Sequence, residues 1–72
     1  MNTAMATMTR TAATAAQFAA ELRRNVDDWY AQENTPATYA AFSARNGATW
    51  QKIEAHSQNV RNEVSRILRE RK

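Results

Sequence analysis

The 72 residues are too few for more than one domain, and the absence of cysteine excludes disulfide bonds and metal sites with thiolate ligands. No segment approaches the roughly 18 apolar residues of a membrane span, and no signal-peptide hydrophobic region is evident, so we expect a cytoplasmic protein. Residues 61–72 account for the whole net charge of +3, because they contain five basic and two acidic residues. Residues 21–34, by contrast, contain four acidic and two basic residues.

The N-terminal residues 1–13 are rich in Thr, Ala and Met and show no apolar periodicity. We therefore expect a disordered N-terminal arm, followed by a single helical domain over residues 14–72. Thr14 and Gln17 have the spacing of a capping box, which predicts a first helix over residues 15–32. Its buried stripe recurs at intervals of three and four residues and comprises Ala15, Phe18, Leu22, Val26 and Trp29.

Two further helices are predicted after this one. Thr35 and Pro36 favour the start of a short helix over residues 36–46, because threonine is a good N-cap and proline fits the first helical position. Gly47, the only glycine, is expected to end that helix in a left-handed conformation. A long third helix is predicted over residues 49–70 from a seam of Trp50, Ile53, Ser57, Val60, Val64 and Ile67. The predicted fold is all-α, with the first and third helices packed lengthwise and the second as a bridge.

Groups that could carry catalysis are scarce in this sequence. His56 is the only histidine, and the adjacent Asp27 and Asp28 project about 100° apart on a helix, so their carboxylates cannot converge. A metal ion would need further ligands that the sequence does not supply at helical spacing. We therefore expect no enzyme, no cofactor, no metal and no small-molecule substrate.

The long third helix favours a small regulatory protein that acts through protein–protein interaction, of the adaptor, antiactivator or antitoxin type. Such a module would bind a partner or form a homodimer, and the excess of arginine over lysine with abundant alanine fits a bacterial source. Exposed tyrosines near the turns would serve as anchors for the partner. The candidate partner-binding residues are Val60, Val64, Ile67, Leu68, Tyr30 and Tyr39.

The alternative hypothesis is a DNA-binding helix-turn-helix over residues 38–56 with a basic C-terminal tail. Phe42 lies five positions before Gly47 and Ile53 six positions after it, which suits two helices joined by a glycine turn. Polar residues at the start of the second of these helices would then reach into the major groove. The candidate nucleic-acid residues are Thr49, Gln51, Lys52, Arg66, Arg69 and Arg71.

Overall fold

The protein is described by a computed structural model, which covers residues 3–70 and gives side chains from residue 10 onward. It contains three helices, α1 (Thr3–Tyr30), α2 (Pro36–Glu54) and α3 (Gln58–Glu70). No strand occurs within residues 3–70. The predicted all-α class and the predicted number of helices are therefore confirmed.

The three helices form an antiparallel hairpin whose second arm is interrupted. α2 returns along the C-terminal half of α1, and α3 continues in the same direction along its N-terminal half. Both pack extensively on α1, whereas α2 and α3 contact each other much less. Successive pairs along the hairpin are Asp28 with Arg45, Glu21 with Thr49, and Phe18 with His56.

The core is small and lies between α1 and the interrupted arm. Its buried apolar residues are Ala15, Ala19 and Leu22 from α1, Ile53 from α2, and Val60 and Val64 from α3. Partly buried side chains then pack around this cluster, namely Phe18, Trp50, Ile67 and Leu68. The two alanines allow close approach of the opposing helix, so the core is thin and depends on a few larger side chains.

The corner between α1 and α2 is fixed by a capping box. The amide of Thr38 donates a hydrogen bond to Oγ1 of Thr35 at 3.1 Å, and the amide of Thr35 donates to Oγ1 of Thr38 at 2.9 Å. Pro36 follows at the first helical position, where its missing N–H leaves nothing unsatisfied. The predicted start of the second helix is confirmed.

The predicted start of the first helix at Thr14 is wrong. α1 begins at Thr3, and Thr14 lies inside it. Alanine and methionine have high helix propensity, so this segment continues the helix without an apolar stripe of its own. The predicted disordered arm includes residues 1–2, which lie outside the described residues.

The predicted helix end at Gly47 is also wrong, because α2 continues through it to Glu54. Gly47 does not have a positive φ, so it does not form the left-handed cap that the prediction required. Since residues 38–54 belong to one helix, the predicted helix-turn-helix over residues 38–56 is wrong as well. A helix tolerates one interior glycine at a cost of about 1 kcal/mol, which packing of the flanking turns offsets.

The chain instead leaves the helix after Glu54 and re-enters it at Gln58, so the predicted continuous helix over residues 49–70 is wrong. Ser57 immediately precedes α3, and its Oγ accepts a long hydrogen bond of 3.5 Å from the amide of Val60. Serine favours this N-cap position over a helix interior, because its side chain competes for backbone hydrogen bonds. The third helix has only 13 residues and is the shortest of the three.

Candidate interaction surface

Four aromatic side chains gather at the corner of the hairpin, and we call them the aromatic tip: Trp29, Tyr30, Tyr39 and Phe42. The first two belong to the last turn of α1. The other two are three residues apart in α2 and therefore share a face of that helix. Tyr30 is 75% exposed and Tyr39 is 54% exposed, whereas the Trp29 and Phe42 side chains are half-buried. The tip is thus a contiguous aromatic surface open to solvent.

Trp29 is the centre of this surface, because its ring contacts those of the other three residues. It stacks on Phe42 with ring centroids 4.6 Å apart and planes 14° apart. It also stacks on Tyr30 at 5.2 Å, and Tyr39 approaches it edge-on at 5.6 Å. Aromatic pairs in these geometries contribute about 0.5–1.5 kcal/mol each beyond their buried area. The rings therefore hold one another in place, and the exposed tyrosine faces are preorganised.

The tip also carries an unfavourable feature. The Trp29 indole nitrogen is buried and has no hydrogen-bond partner in the described part of the chain. A buried donor without an acceptor costs about 1–3 kcal/mol. Arg23 Nε, which lies earlier in α1 and outside the tip, is likewise buried without a partner in the described part of the chain.

Three acidic residues lie close to Trp29 and Tyr30 along the chain. Asp27 and Asp28 lie in the last turn of α1, which has no basic residue, and Glu33 lies in the loop that follows. Asp28 pairs with Arg45 of α2 at 3.0 Å. Within residues 3–70, the carboxylates of Asp27 and Glu33 have no such partner. Asp27 and Asp28 add to the partial negative charge at the C-terminus of α1, and Arg23 and Arg24 lie one turn before them.

A polar network lies one to two turns from the tip, between α1 and α2. The Thr49 hydroxyl donates to Oε2 of Glu21 at 2.6 Å and accepts from Nδ2 of Asn25 at 3.2 Å. Lys52 binds the same Glu21 oxygen at 2.9 Å. Asn25 and Thr49 are both buried, and the Thr49 hydroxyl is the partner that satisfies the Asn25 amide. A buried polar pair in an otherwise apolar seam sets the register of one helix against the other.

The network lowers the pKa of Glu21 below its ordinary value. The main cause is the hydrogen bond from Thr49, followed by the hydrogen bond and charge of Lys52, and partial burial opposes them. An open groove of about 330 Å³ lies above the network, with Arg24, Arg45 and Ala48 among its other lining residues. Lys52 and Arg45 are each paired with a carboxylate of α1, so these two cations of the groove help to hold α1 against α2.

The predicted partner-binding residues fall into three environments. Val60 and Val64 are buried in the core, so they are not available to a partner while the hairpin is closed. Ile67 and Leu68 are half-buried at the end of α3. Tyr30 and Tyr39 are exposed and adjoin the same tryptophan. Of the six predicted residues, the structure brings only the two tyrosines together as an open surface.

The predicted nucleic-acid residues do not form one open surface. Thr49 is buried and bonded to Glu21, and Lys52 is paired with the same glutamate. Arg66 lies between the carboxylates of Glu63 and Glu70, with its pKa raised because both acids bind the guanidinium. Of the remaining residues, Gln51 and Arg69 are exposed on different helices and Arg71 lies outside the described residues.

Groups for metal binding are not assembled in the described chain, where no three His, Asp or Glu side chains are placed to hold an ion together. His56 is exposed and packs edge-on against Phe18 at 5.2 Å. None of the helices in residues 3–70 has both the length and the apolar character needed to cross a membrane.

Sequence reasoning missed two features of this region. Asn25 occupies a buried seam position, and its signal was present, since it lies three residues after Leu22 and four before Trp29. The contact of Trp29 with Phe42 was hidden, because it depends on how the α1–α2 corner turns. Comparison with known proteins adds no analogue, since no family model, curated protein or solved structure matches the chain.

Proposed function

We propose that this chain is a small, non-enzymatic protein-interaction module of the cytoplasm, and that its partner binds the aromatic tip. The observation that carries the proposal is the exposure of Tyr30 and Tyr39 beside the stacked Trp29. Tyrosine and tryptophan are enriched among the residues that contribute most of the binding energy at interfaces. Contiguous exposed aromatic surface on a small protein marks an interaction site more often than it serves stability.

The site differs from the one that the sequence favoured. Partner binding through a long third helix required Val60 and Val64 to be free, but α3 has 13 residues and uses both side chains to pack on α1. Ile67 and Leu68 retain partial exposure at the far end of the hairpin. Both are half-buried whereas Tyr30 and Tyr39 are exposed, so the tip is the stronger candidate for the primary contact.

Site-specific crosslinking in cells of the source organism tests this proposal. A photoreactive amino acid is placed at Tyr39 in the tip, or at Gln51 as an exposed control position on the same helix about 18 Å away. We expect a defined adduct from position 39 only. Excess wild-type protein should compete for that adduct, whereas a Tyr30→Ala, Tyr39→Ala double variant that remains helical should not.

Two results would contradict the proposal. One is equal crosslinking from both positions with equal competition by the double variant, which would show that the tip makes no specific contact. The other is a steeply salt-dependent shift of nonspecific DNA by monomeric protein, unchanged in the double variant, which would favour nucleic acid as the ligand.

A further inference from the structure

We infer that the aromatic tip binds an arginine-bearing basic segment of a partner protein. The inference rests on the proposed function, because it names the chemistry of the partner at that same surface. The Tyr30 and Tyr39 side chains are exposed, and the acidic residues Asp27 and Glu33 each lie three residues from Tyr30 along the chain. The guanidinium group of arginine is the protein side chain that stacks on aromatic rings and also binds carboxylates through a planar fork of donors.

The carboxylates of Asp27 and Glu33 favour a positively charged ligand near the tip. Asp27 lies three residues before Tyr30 on α1, so the two side chains are neighbours on the helix surface. Glu33 lies three residues after Tyr30 in the loop. Neither carboxylate has an ion-pair partner within residues 3–70. Acidic residues at a helix C-terminus are unfavourable in isolation, because they add to the negative end of the helix dipole, and a bound cation relieves this.

The same region already holds one guanidinium. Arg45 of α2 reaches Asp28 at 3.0 Å, and both side chains are about half exposed. This pair neutralises Asp28 and leaves the charge of Asp27 and Glu33 on the two sides of Tyr30. Two further guanidinium groups, supplied by a partner, would neutralise these two remaining carboxylates.

A second copy of this chain is the competing occupant, because α3 is basic. Its arginines are largely engaged, however. Arg66 is held by Glu63 and Glu70, and Arg61 donates to the carbonyl of Glu54 and to the side chain of Gln58. Among the basic residues of α3, Arg69 is the exposed one without such contacts in the described chain. Elsewhere in the described chain Arg10 and Arg24 are also exposed without such contacts, but they lie about 21 Å apart along α1, so a second copy offers dispersed guanidinium groups. A separate partner whose free arginines follow one another in a short segment fits the tip better.

Trp29 fluorescence provides the test. In a Trp50→Phe background, checked for unchanged helicity, Trp29 is the only tryptophan and reports on the tip. The probes are three blocked alanine–glycine peptides that carry several arginines, citrullines or glutamates at the same positions. We expect saturable change in Trp29 emission with the arginine peptide. The citrulline peptide keeps the planar shape without the charge, so we expect at least about tenfold weaker binding.

Variants separate the two components of the site. Tyr39→Ala should weaken binding of the arginine peptide by about 2- to 30-fold, the range of one cation–aromatic contact. Asp27→Asn with Glu33→Gln should weaken it and reduce its salt dependence. Glu54→Gln is the matched control, since this exposed glutamate lies at the far end of α2, and it should leave binding unchanged.

Any one of four outcomes would overturn the inference. Equal binding of the arginine and citrulline peptides would remove the role of charge, and preferential binding of the glutamate peptide would reverse its sign. Self-association in sedimentation that Tyr39→Ala abolishes would make a second copy the occupant. If crosslinking from Tyr39 succeeds while the arginine peptide fails to bind, the inference fails and the proposed function stands; if crosslinking fails as well, both fail.

Discussion

Replacing Gly47 by alanine should stabilise the protein. Gly47 lies in the interior of α2, its φ is not positive, and a Cβ added there would meet no atom within 4 Å. The substitution therefore adds no clash and no contact, and only backbone preference changes. Glycine in a helix interior is less favourable than alanine by about 0.5–1 kcal/mol. A gain of that size should raise the melting temperature by about 2–8 °C in a domain of this length.

Urea unfolding followed by circular dichroism at 222 nm measures the effect, and Ala44→Gly is the matched control. Ala44 is an exposed position of the same helix, so its replacement should destabilise the protein by about the same amount. The reasoning would be refuted if Gly47→Ala destabilised the protein by about 1 kcal/mol or more. That result would mean that position 47 adopts a left-handed conformation at a turn, as a helix-turn-helix requires.

Two further substitutions test the core and the polar network. Ile53→Ala, at a fully buried position, should cost about 2–5 kcal/mol in chemical denaturation, whereas the exposed Gln51→Ala should change stability by less than about 0.5 kcal/mol; similar effects would place Ile53 outside the core. The lowered pKa of Glu21 means that its ionised form stabilises the fold above the ordinary glutamate pKa of about 4.3, and that this contribution disappears as the pH falls through the lower folded-state pKa. Wild-type stability should therefore fall more between about pH 6 and 3 than that of Glu21→Gln, and parallel curves would show that Thr49 and Lys52 do not favour the carboxylate.

Apolar periodicity predicted the buried residues better than it predicted the helices that carry them. Ile53 and Val60 are seven residues apart, and both face α1 from different helices. Because the interrupted arm keeps the same side toward α1 on both sides of the break, the spacing continues across it. Periodicity alone therefore could not reveal that Ser57 starts a new helix. Residue chemistry at the caps could, since serine favours an N-cap over a helix interior.

Sequence signals for helix ends were reliable where the structure they predict forms through contacts between neighbouring residues alone. Thr35 and Pro36 form their cap through bonds within four residues, and the structure has the helix start where they indicate. Gly47 would end the helix only if the residues after it did not favour its continuation. Thr49, Trp50 and Ile53 do favour it, because all three pack toward α1 on the next turns. The aromatic tip was predicted only in part, because the tyrosines could be identified as anchors but their arrangement around Trp29 depends on tertiary packing.

Because of the break at residues 55–57, the fold need not unfold as one cooperative unit. α3 is too short to be a stable helix by itself, and it is held mainly by α1 rather than by α2. It can therefore detach without unwinding α2, and its detachment would uncover Ala15 and leave the N-terminal half of α1 without its main neighbour. The α1–α2 corner has its own capping box, ion pair and polar network. If α3 opens locally, we therefore expect the aromatic surface at the other end of the hairpin to remain intact.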